Sequence, residues 1–354
     1  MPSRKRTDDS TKNRRKAFSK TLILLLLAFL VFIFATIAWF VMSRSNTAGG
    51  MSVKAADLPF ELEVRGTYIE NADIMTVNSL FTDEFKNGIQ QTDGEGTLIN
   101  IFRTGANNEK IVWRKNSQSG SDPLGLSPGS SGELAFWVIP NQTGVLNLHF
   151  DMNIRGYHAV YEGDTMTELI EITDSLVDSS ANAAKGIISA DAKKEALKYI
   201  NSHILFFRSY DSTTGLYSDF CGMDSIDFND YISGNDKTVI KDQAYPVTIY
   251  WIWVNDIGDM FLQSTSQYAS SPLFDDSDDD DREASFDYLE ELKSNVFAGM
   301  TENAITNALT DVQDSSSVTF RDSLTALTNG YDNADLDIGN NINYILIEMT
   351  AEAV

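Results

Sequence analysis

An uncharged apolar segment near the N-terminus constrains this chain more than any other feature. It runs from Thr21 to Met42 and contains 22 residues without one charged side chain. At about 1.5 Å per residue, a helix of this length crosses the roughly 30 Å hydrocarbon core of a bilayer. Because backbone groups in lipid must be satisfied internally, the segment is predicted to be a transmembrane helix that contacts the lipid bilayer.

The charges beside this segment predict its orientation. Residues 1–20 contain eight Lys or Arg side chains and two Asp side chains. The positive-inside rule therefore places residues 1–20 in the cytoplasm as a basic tail and sends residues 43–354 outside. The predicted location is the plasma membrane, with a single pass and an extracellular C-terminal domain.

The same segment is compatible with a cleaved signal peptide. Ala35, Ala38, Ala48 and Gly49 are small residues of the kind a signal peptidase uses. The apolar run is longer than the usual h-region of about 7–15 residues, which favours a retained anchor. Length does not separate the two outcomes, so both remain open at this point.

The predicted extracellular part is strongly acidic. The chain has a formal net charge of −24, and residues 1–44 contribute +7, which leaves −31 on residues 45–354. Such a surface argues against nucleic acid as a partner, since nucleic acids attract cationic surfaces. Cys221 is the single cysteine, so an intrachain disulfide is excluded and the fold must depend on its hydrophobic core.

Period-2 alternation predicts that this domain is rich in strands. After a small polar linker at residues 43–52, apolar and charged residues alternate from Phe60 to Val64. Glu133–Ile139 and Val145–Arg155 are predicted to form a hairpin around the turn Pro140–Gly144, with Leu146, Leu148, Phe150, Met152 and Ile154 on one buried face. Further strands are predicted at Thr97–Phe102, Lys110–Arg114, His203–Arg208, Gly215–Phe220, Tyr245–Val254 and Asn341–Ala351.

Two stretches have helical rather than strand periodicity. The first covers about residues 164–201, with helices at Thr165–Val177 and at Ala190–Ile200, the latter capped by Ser189. The second covers about residues 283–330, with helices near 283–297, 301–310 and 320–329. The predicted fold class is mainly β with helical insertions (α+β), an antiparallel, jelly-roll-like β-sandwich spanning residues 53–354.

The segment Ala35–Val53 resembles the start of the camelysin and TasA-type exported proteins of Gram-positive bacteria. Like those proteins, this chain has an alanine-rich segment that ends in an aromatic pair and a serine and leads through a glycine-containing linker into a strand. The resemblance implies a jelly-roll-like domain and, in several members, assembly into extracellular fibres. The blocks HILFFR and TIYWIWV and the C-terminal ending are also similar to clostridial single-pass surface proteins of unassigned activity.

Residues with catalytic chemistry are few and scattered. The three histidines, His149, His158 and His203, have no spacing typical of a metal motif. Cys221 has Asp219 and Asp224 nearby instead of the cationic neighbours that activate a thiol, so a buried structural thiol is favoured. We therefore predict no catalytic, cofactor-binding or metal-binding residue from the sequence.

Two acidic stretches approach the pattern of a calcium loop. Asp275–Asp281 contains six Asp residues in seven positions, but Asp281 stands where an EF-hand needs glycine. Asn333, Asp335 and Asp337 have the right spacing, but Gly339 comes one residue late. Weak Ca²⁺ binding remains possible, although a run of like charges is usually a solvated loop, and a solvated loop is the prediction for Asp275–Asp281.

The aromatic run in Tyr245–Val254 has two interpretations. Trp251 and Trp253 share one face of the predicted strand, as a carbohydrate platform or a sandwich core requires. Val247 and Ile249 lie on that same face and favour the core. The functional hypotheses are therefore a non-enzymatic surface protein that contacts itself or other surface proteins, a released matrix or fibre subunit, and a hydrolase with an unrecognised site.

Overall fold

A computed structural model describes the C-terminal part of the chain. The described residues are 58–68, 89–92, 98–104, 108–115, 126–222, 226–234, 236–269, 271–275, 279–314 and 316–354. Residues 58–354 form one compact unit. The tail at 1–20, the apolar segment at 21–42 and the linker at 43–52 lie outside the described residues. Within the described ranges, no helix combines the length and the apolar character of a membrane span.

Strands account for most of the regular structure in the described ranges. They are β1 (Phe60–Glu63), β2 (Thr67–Tyr68), β3 (Ile89–Thr92), β4 (Leu98–Thr104), β5 (Lys110–Lys115), β6 (Ser131–Pro140), β7 (Gly144–Val145), β8 (Leu148–Glu162), β9 (Thr165–Glu171), β10 (Ile204–Asp211), β11 (Leu216–Phe220), β12 (Ile226–Asp227), β13 (Thr238–Val239), β14 (Tyr245–Trp253) and β15 (Tyr344–Ala353). Most of the predicted strands are therefore present, with bounds shifted by a few residues.

The strands form two main antiparallel sheets. One has five strands in the order β1-β6-β14-β10-β11. The other has eight strands in the order β12-β8-β15-β5-β4-β3-β2, with β9 also paired to β8. The C-terminal strand β15 lies between β8 and β5, so the end of the chain is held inside the sheet. A small third sheet joins β7 and β13.

One hydrophobic core contains the facing sides of both sheets. The ring of Phe136 on β6 meets that of Phe150 on β8 edge to face, with centroids 5.3 Å apart. Trp113 on β5 lies 6.1 Å from Phe136. Phe136 and Phe150 are fully buried. The alternating residues of β8 also point into this core, as the sequence predicts: Leu148, Met152 and Ile154 belong to the same cluster as Phe150.

The predicted hairpin of Glu133–Ile139 with Val145–Arg155 is wrong. β6 pairs with β1 and β14, whereas β8 pairs with β9, β12 and β15. The turn after Pro140 therefore carries the chain from one sheet to the other instead of joining adjacent strands. Both strands have an apolar face, and the two faces meet across the core. Alternation alone does not distinguish this face-to-face packing from edge-to-edge pairing within one sheet.

The predicted helix at Thr165–Val177 is also wrong. Its first half is β9, which folds back on β8 through a two-residue turn that begins at Gly163 with φ +63°. Glycine at the first central position of a hairpin turn is typical of type II′. Arg155 on β8 then reaches Glu171 at 2.8 Å and Glu348 on β15 at 3.1 Å, so one guanidinium bridges three strands.

Helices occupy the remaining regular segments of the described part. They are α1 (Ser180–Ala184), α2 (Ala190–His203), α3 (Gly258–Phe261), α4 (Asp279–Leu292), α5 (Glu302–Gln313) and α6 (Phe320–Asn341), with short 3₁₀ turns at Phe228–Tyr231 and Lys293–Asn295. The Ser189 side chain accepts the N–H of Ala192 at 3.1 Å and caps α2, which confirms that predicted helix start. The second helical insertion extends beyond the predicted 283–330, from 279 to 341.

A second apolar cluster covers the outer face of the five-stranded sheet. Leu205 and Phe207 of β10 point away from the first core and pack among residues of α3, α4, α5 and α6. At one end of the sheets, Ala196 and Ile200 of α2 meet Ala334 and Ile338 of α6 within the first core. The described fold is therefore mainly β, with antiparallel sheets and a helical layer, as the sequence predicts.

Candidate functional site

The imidazole of His203, the last residue of α2, is a buried polar group with several partners. Its Nδ1 lies 2.7 Å from Oδ1 of Asp335 on α6, and its Nε2 lies 2.9 Å from the carbonyl oxygen of Val296. The same Asp335 oxygen accepts the indole N–H of Trp253 at 2.9 Å. Both partners of the imidazole are oxygen atoms, and together they fix the orientation of the ring.

The ring of Tyr331 completes this group, which we call the His203 cluster (His203, Asp335, Trp253 and Tyr331). The tyrosine ring stacks on the imidazole with centroids 3.9 Å apart and planes 5° apart. Its hydroxyl donates to the carbonyl of Val254 at 3.0 Å. The His203 side chain is completely buried and that of Asp335 is 13% exposed. A substrate has no access to such a group, so the cluster fastens α2, β14 and α6 together.

The other two histidines are held in separate places. His149 lies on β8 between two carboxylates, with Nε2 3.1 Å from Asp151 and Nδ1 3.2 Å from Asp227. His158 lies nine residues further along the same strand, roughly 30 Å away. Its Nε2 donates to the carbonyl of Lys185 at 2.9 Å, and burial lowers its pKa. Across the described ranges, no three His, Cys, Asp or Glu residues are positioned to hold a metal ion.

The acidic stretch Asp275–Asp281 is not uniformly solvated. Asp281 is 9% exposed, and its two carboxylate oxygens accept the backbone N–H groups of Asp219 and Phe220, each at 2.7 Å. These N–H groups belong to β11, the edge strand of the five-stranded sheet. Asp281 therefore caps an open sheet edge, a role the prediction of a solvated loop misses. Asp276 and Asp278 lie outside the described residues.

The second acidic stretch that approaches the pattern of a calcium loop is part of a helix. Asn333, Asp335 and Asp337 lie within α6, where three residues at spacing i, i+2 and i+4 cannot surround one ion as a loop does. Asp335 is already bound to His203 and Trp253. Helical periodicity separates side chains that a loop would gather around one ion.

We therefore expect calcium to act on this protein only as an ionic-strength effect. The full-length chain in detergent is heated in millimolar CaCl₂, in MgCl₂ and in NaCl at matched ionic strength, and its Tm is measured by tryptophan fluorescence. Equal increases in all three salts are expected, because screening depends on ionic strength and not on the ion's identity. A larger increase in CaCl₂ alone would contradict this and indicate a specific site.

A small group of carboxylates lies where β14 leads into the helical layer. Burial raises the pKa of Asp256, and the nearby charge of Asp259 adds to the rise, while a hydrogen bond from the Gly258 N–H at 2.8 Å opposes it. Burial also raises the pKa of Asp332, with Asp335 and Asp256 adding to the shift. A carboxyl whose pKa is higher when folded costs stability at neutral pH, and the cost is lost as the pH falls below that folded pKa.

Replacing Asp256 with Asn is expected to stabilise the protein at neutral pH. The amide oxygen of Asn can still accept the Gly258 N–H, while the charge beside Asp259 and Asp332 is removed. The gain in Tm is expected at neutral pH and is expected to shrink as the pH falls through the raised pKa of Asp256, because the native carboxyl then becomes protonated. Asp236→Asn, on an exposed loop, serves as the control. A lower Tm of Asp256→Asn at neutral pH would contradict the reasoning.

Cys221 is held as a protonated thiol. Its Sγ donates to the carbonyl of Asp219 at 3.2 Å. Burial raises its pKa to about 12, and although Arg208 opposes the shift, three nearby aspartates add to it. A thiol of this kind is a poor nucleophile, because the reactive species is the thiolate.

Cys221 does, however, lie beside a cleft of about 710 Å³ between α2 and α4. Each helix presents one stripe of residues to it. The α2 stripe is Lys194, Leu197, Lys198, Asn201 and Ser202, and the α4 stripe is Ala284, Asp287, Tyr288, Glu291 and Leu292. Both stripes have the spacing i, i+3, i+4, i+7, i+8 of a single helix face. The Tyr288 hydroxyl donates to the Ser202 carbonyl at 3.1 Å and connects the two helices.

The aromatic strand β14 is part of the core, in agreement with the favoured interpretation. Trp251 and Trp253 are each 1% exposed, so neither forms a platform for a carbohydrate. A Cβ atom added to Gly132 on β6 would lie 3.0 Å from the indole nitrogen of Trp251, so a larger residue there would press against this ring.

Comparison with known proteins gives no further guide to the site. No protein-family model, no curated protein and no solved structure matches the chain.

Proposed function

We propose that this chain is a single-pass bacterial cell-surface protein with a non-enzymatic structural or interaction role. The observation that carries the proposal is the apolar segment Thr21–Met42, preceded by a basic tail and followed by an acidic domain. A helix of that length and flanking charge is retained in a membrane with its basic end inside. On this proposal the folded unit at 58–354 faces the outside of the cell.

The chemistry of the folded unit supports a role other than catalysis. The His203 imidazole is fully buried, and the Cys221 thiol has a pKa raised to about 12. Histidine and cysteine often supply general bases and nucleophiles, and here His203 and Cys221 are each occupied in a structural contact. The two antiparallel sheets and their shared core also suit the jelly-roll-like sandwich that we propose from the resemblance to the TasA-type proteins.

N-terminal sequencing of the protein from its native cells tests the proposal. A chain in the membrane fraction that begins at Met1 or Pro2 is expected. A chain in the medium that begins between about Ala38 and Met51 would contradict the anchor and favour the alternative of a released matrix or fibre subunit. A full-length chain in the cytosolic fraction would contradict both.

A further inference from the structure

We propose that the cleft between α2 and α4 binds a small zwitterion of the amino-acid or short-peptide type. The two walls have opposite charge. The α2 wall contributes Lys194 and Lys198, and the α4 wall contributes Asp287 and Glu291. A molecule with a carboxylate at one end and an ammonium group at the other matches both walls at once.

The acidic wall has charges that no protein group compensates. Within the described residues, Asp287 and Glu291 make no hydrogen bond or ion pair. The lysines of the other wall pair only within their own helix. Lys194 lies 3.6 Å from Asp191, and Lys198 lies 3.4 Å from Glu195. Exposed pairs of this kind contribute about 0.2–1 kcal/mol, so a ligand carboxylate can replace them at little cost.

The size and the lining of the cleft limit the ligand further. A volume of about 710 Å³ falls within the roughly 300–1,000 Å³ typical of small-molecule sites. Leu197, Ala284 and Leu292 line the cleft together with the charged residues and offer contact to an apolar side chain. The bond from Tyr288 to Ser202 fixes the spacing of the walls before any ligand arrives.

Glycyl-leucine is the probe that fits this chemistry. Isothermal titration of the full-length chain in detergent, at low ionic strength, compares three molecules: the free dipeptide, its N-acetyl form and its C-terminal amide. The free dipeptide is expected to bind in the millimolar range or better. Each capped form is expected to bind about threefold or more weakly, because each loses one of the two charged contacts.

Variants on the two walls assign any binding to the cleft. Lys194→Gln with Lys198→Gln, and separately Glu291→Gln, are expected to weaken binding of the free dipeptide by about the same factor as the matching cap. The matched controls are Glu290→Gln, the exposed neighbour of Glu291 outside the cleft, and Lys241→Gln on a distant loop. The controls are expected to bind as the native chain does.

Three results would overturn the proposal. They are the absence of binding by the free dipeptide, equal binding by the free and capped forms, and equal losses in Glu290→Gln and Glu291→Gln. The three substituted side chains of the cleft, Lys194, Lys198 and Glu291, are at least partly exposed, so the variants are expected to fold, and an unchanged Tm without dipeptide checks this. Binding is measured on the purified chain, so the result is independent of where the cell places the protein.

Discussion

Replacement of Phe150 with Asp is expected to unfold residues 58–354. Phe150 is completely buried. The centroid of its ring lies 5.3 Å from that of Phe136 of the opposite sheet and 6.3 Å from that of Phe228. Removing a buried phenylalanine costs about 3–5 kcal/mol, and burying an unpaired carboxylate costs several more. The sum approaches the whole stability of about 5–15 kcal/mol that is typical of a folded protein.

Thermal unfolding of the full-length chain, followed by circular dichroism and tryptophan fluorescence, measures this loss. Ile188→Asp is the matched control, because Ile188 is 89% exposed and the change in chemistry is similar. Its effect is expected within about 0.5 kcal/mol of the native chain. A cooperative transition of Phe150→Asp within a few degrees of the control would mean that the two sheets do not share the core described above.

Replacement of Asp335 with Ala is expected to cost about 3–5 kcal/mol of stability. The change leaves the imidazole of His203 and the indole N–H of Trp253 without their shared acceptor in a buried place. Unsatisfied buried polar groups are expensive because water cannot replace the lost hydrogen bonds. The loss is expected to separate the ends of α2 and α6, since His203 and Asp335 connect them.

Asp337→Ala tests whether this cost belongs to the His203 cluster or to α6 in general. Asp337 lies two residues further along the same helix and is exposed, so its replacement is expected to change stability by no more than about 0.5 kcal/mol. Asp335→Asn is expected to fall between the two, since its amide oxygen can still accept a hydrogen bond without a negative charge. Equal Tm values for the Asp335→Ala and Asp337→Ala variants would contradict the assigned role.

Local pattern predicts the strands of this fold better than it predicts their pairing. Alternation identifies the buried face of β8, because side chains in a strand point alternately to opposite sides. It does not show that β6 and β8 belong to different sheets, since an apolar face is required in either arrangement. A helix is predicted where β9 lies, and Leu169, Ile172 and Leu176 do have helical spacing, whereas the glycine turn at Gly163 is the stronger local signal.

The polar groups of the fold were harder to predict than its strands. Asp335 and His203 are 132 residues apart in the sequence, and nothing local to either residue indicates the pair. Likewise, no local feature of the sequence separates Asp281 from the other aspartates of its charged run, although it caps the edge of β11. By contrast, the charged stripe of α4 could have been found from the spacing of Asp287 and Glu291, one helical turn apart.

Labelling of intact cells tests most directly the proposal that residues 58–354 lie outside the cell. Cys221→Ser removes the single native cysteine, and one new cysteine is then introduced at either Val318, which is fully exposed, or Ser10 in the basic tail. We expect a membrane-impermeant maleimide to label Val318→Cys on intact cells and Ser10→Cys only after the cells are lysed. Labelling of Ser10→Cys on intact cells, or of Val318→Cys only after lysis, would contradict the proposed topology.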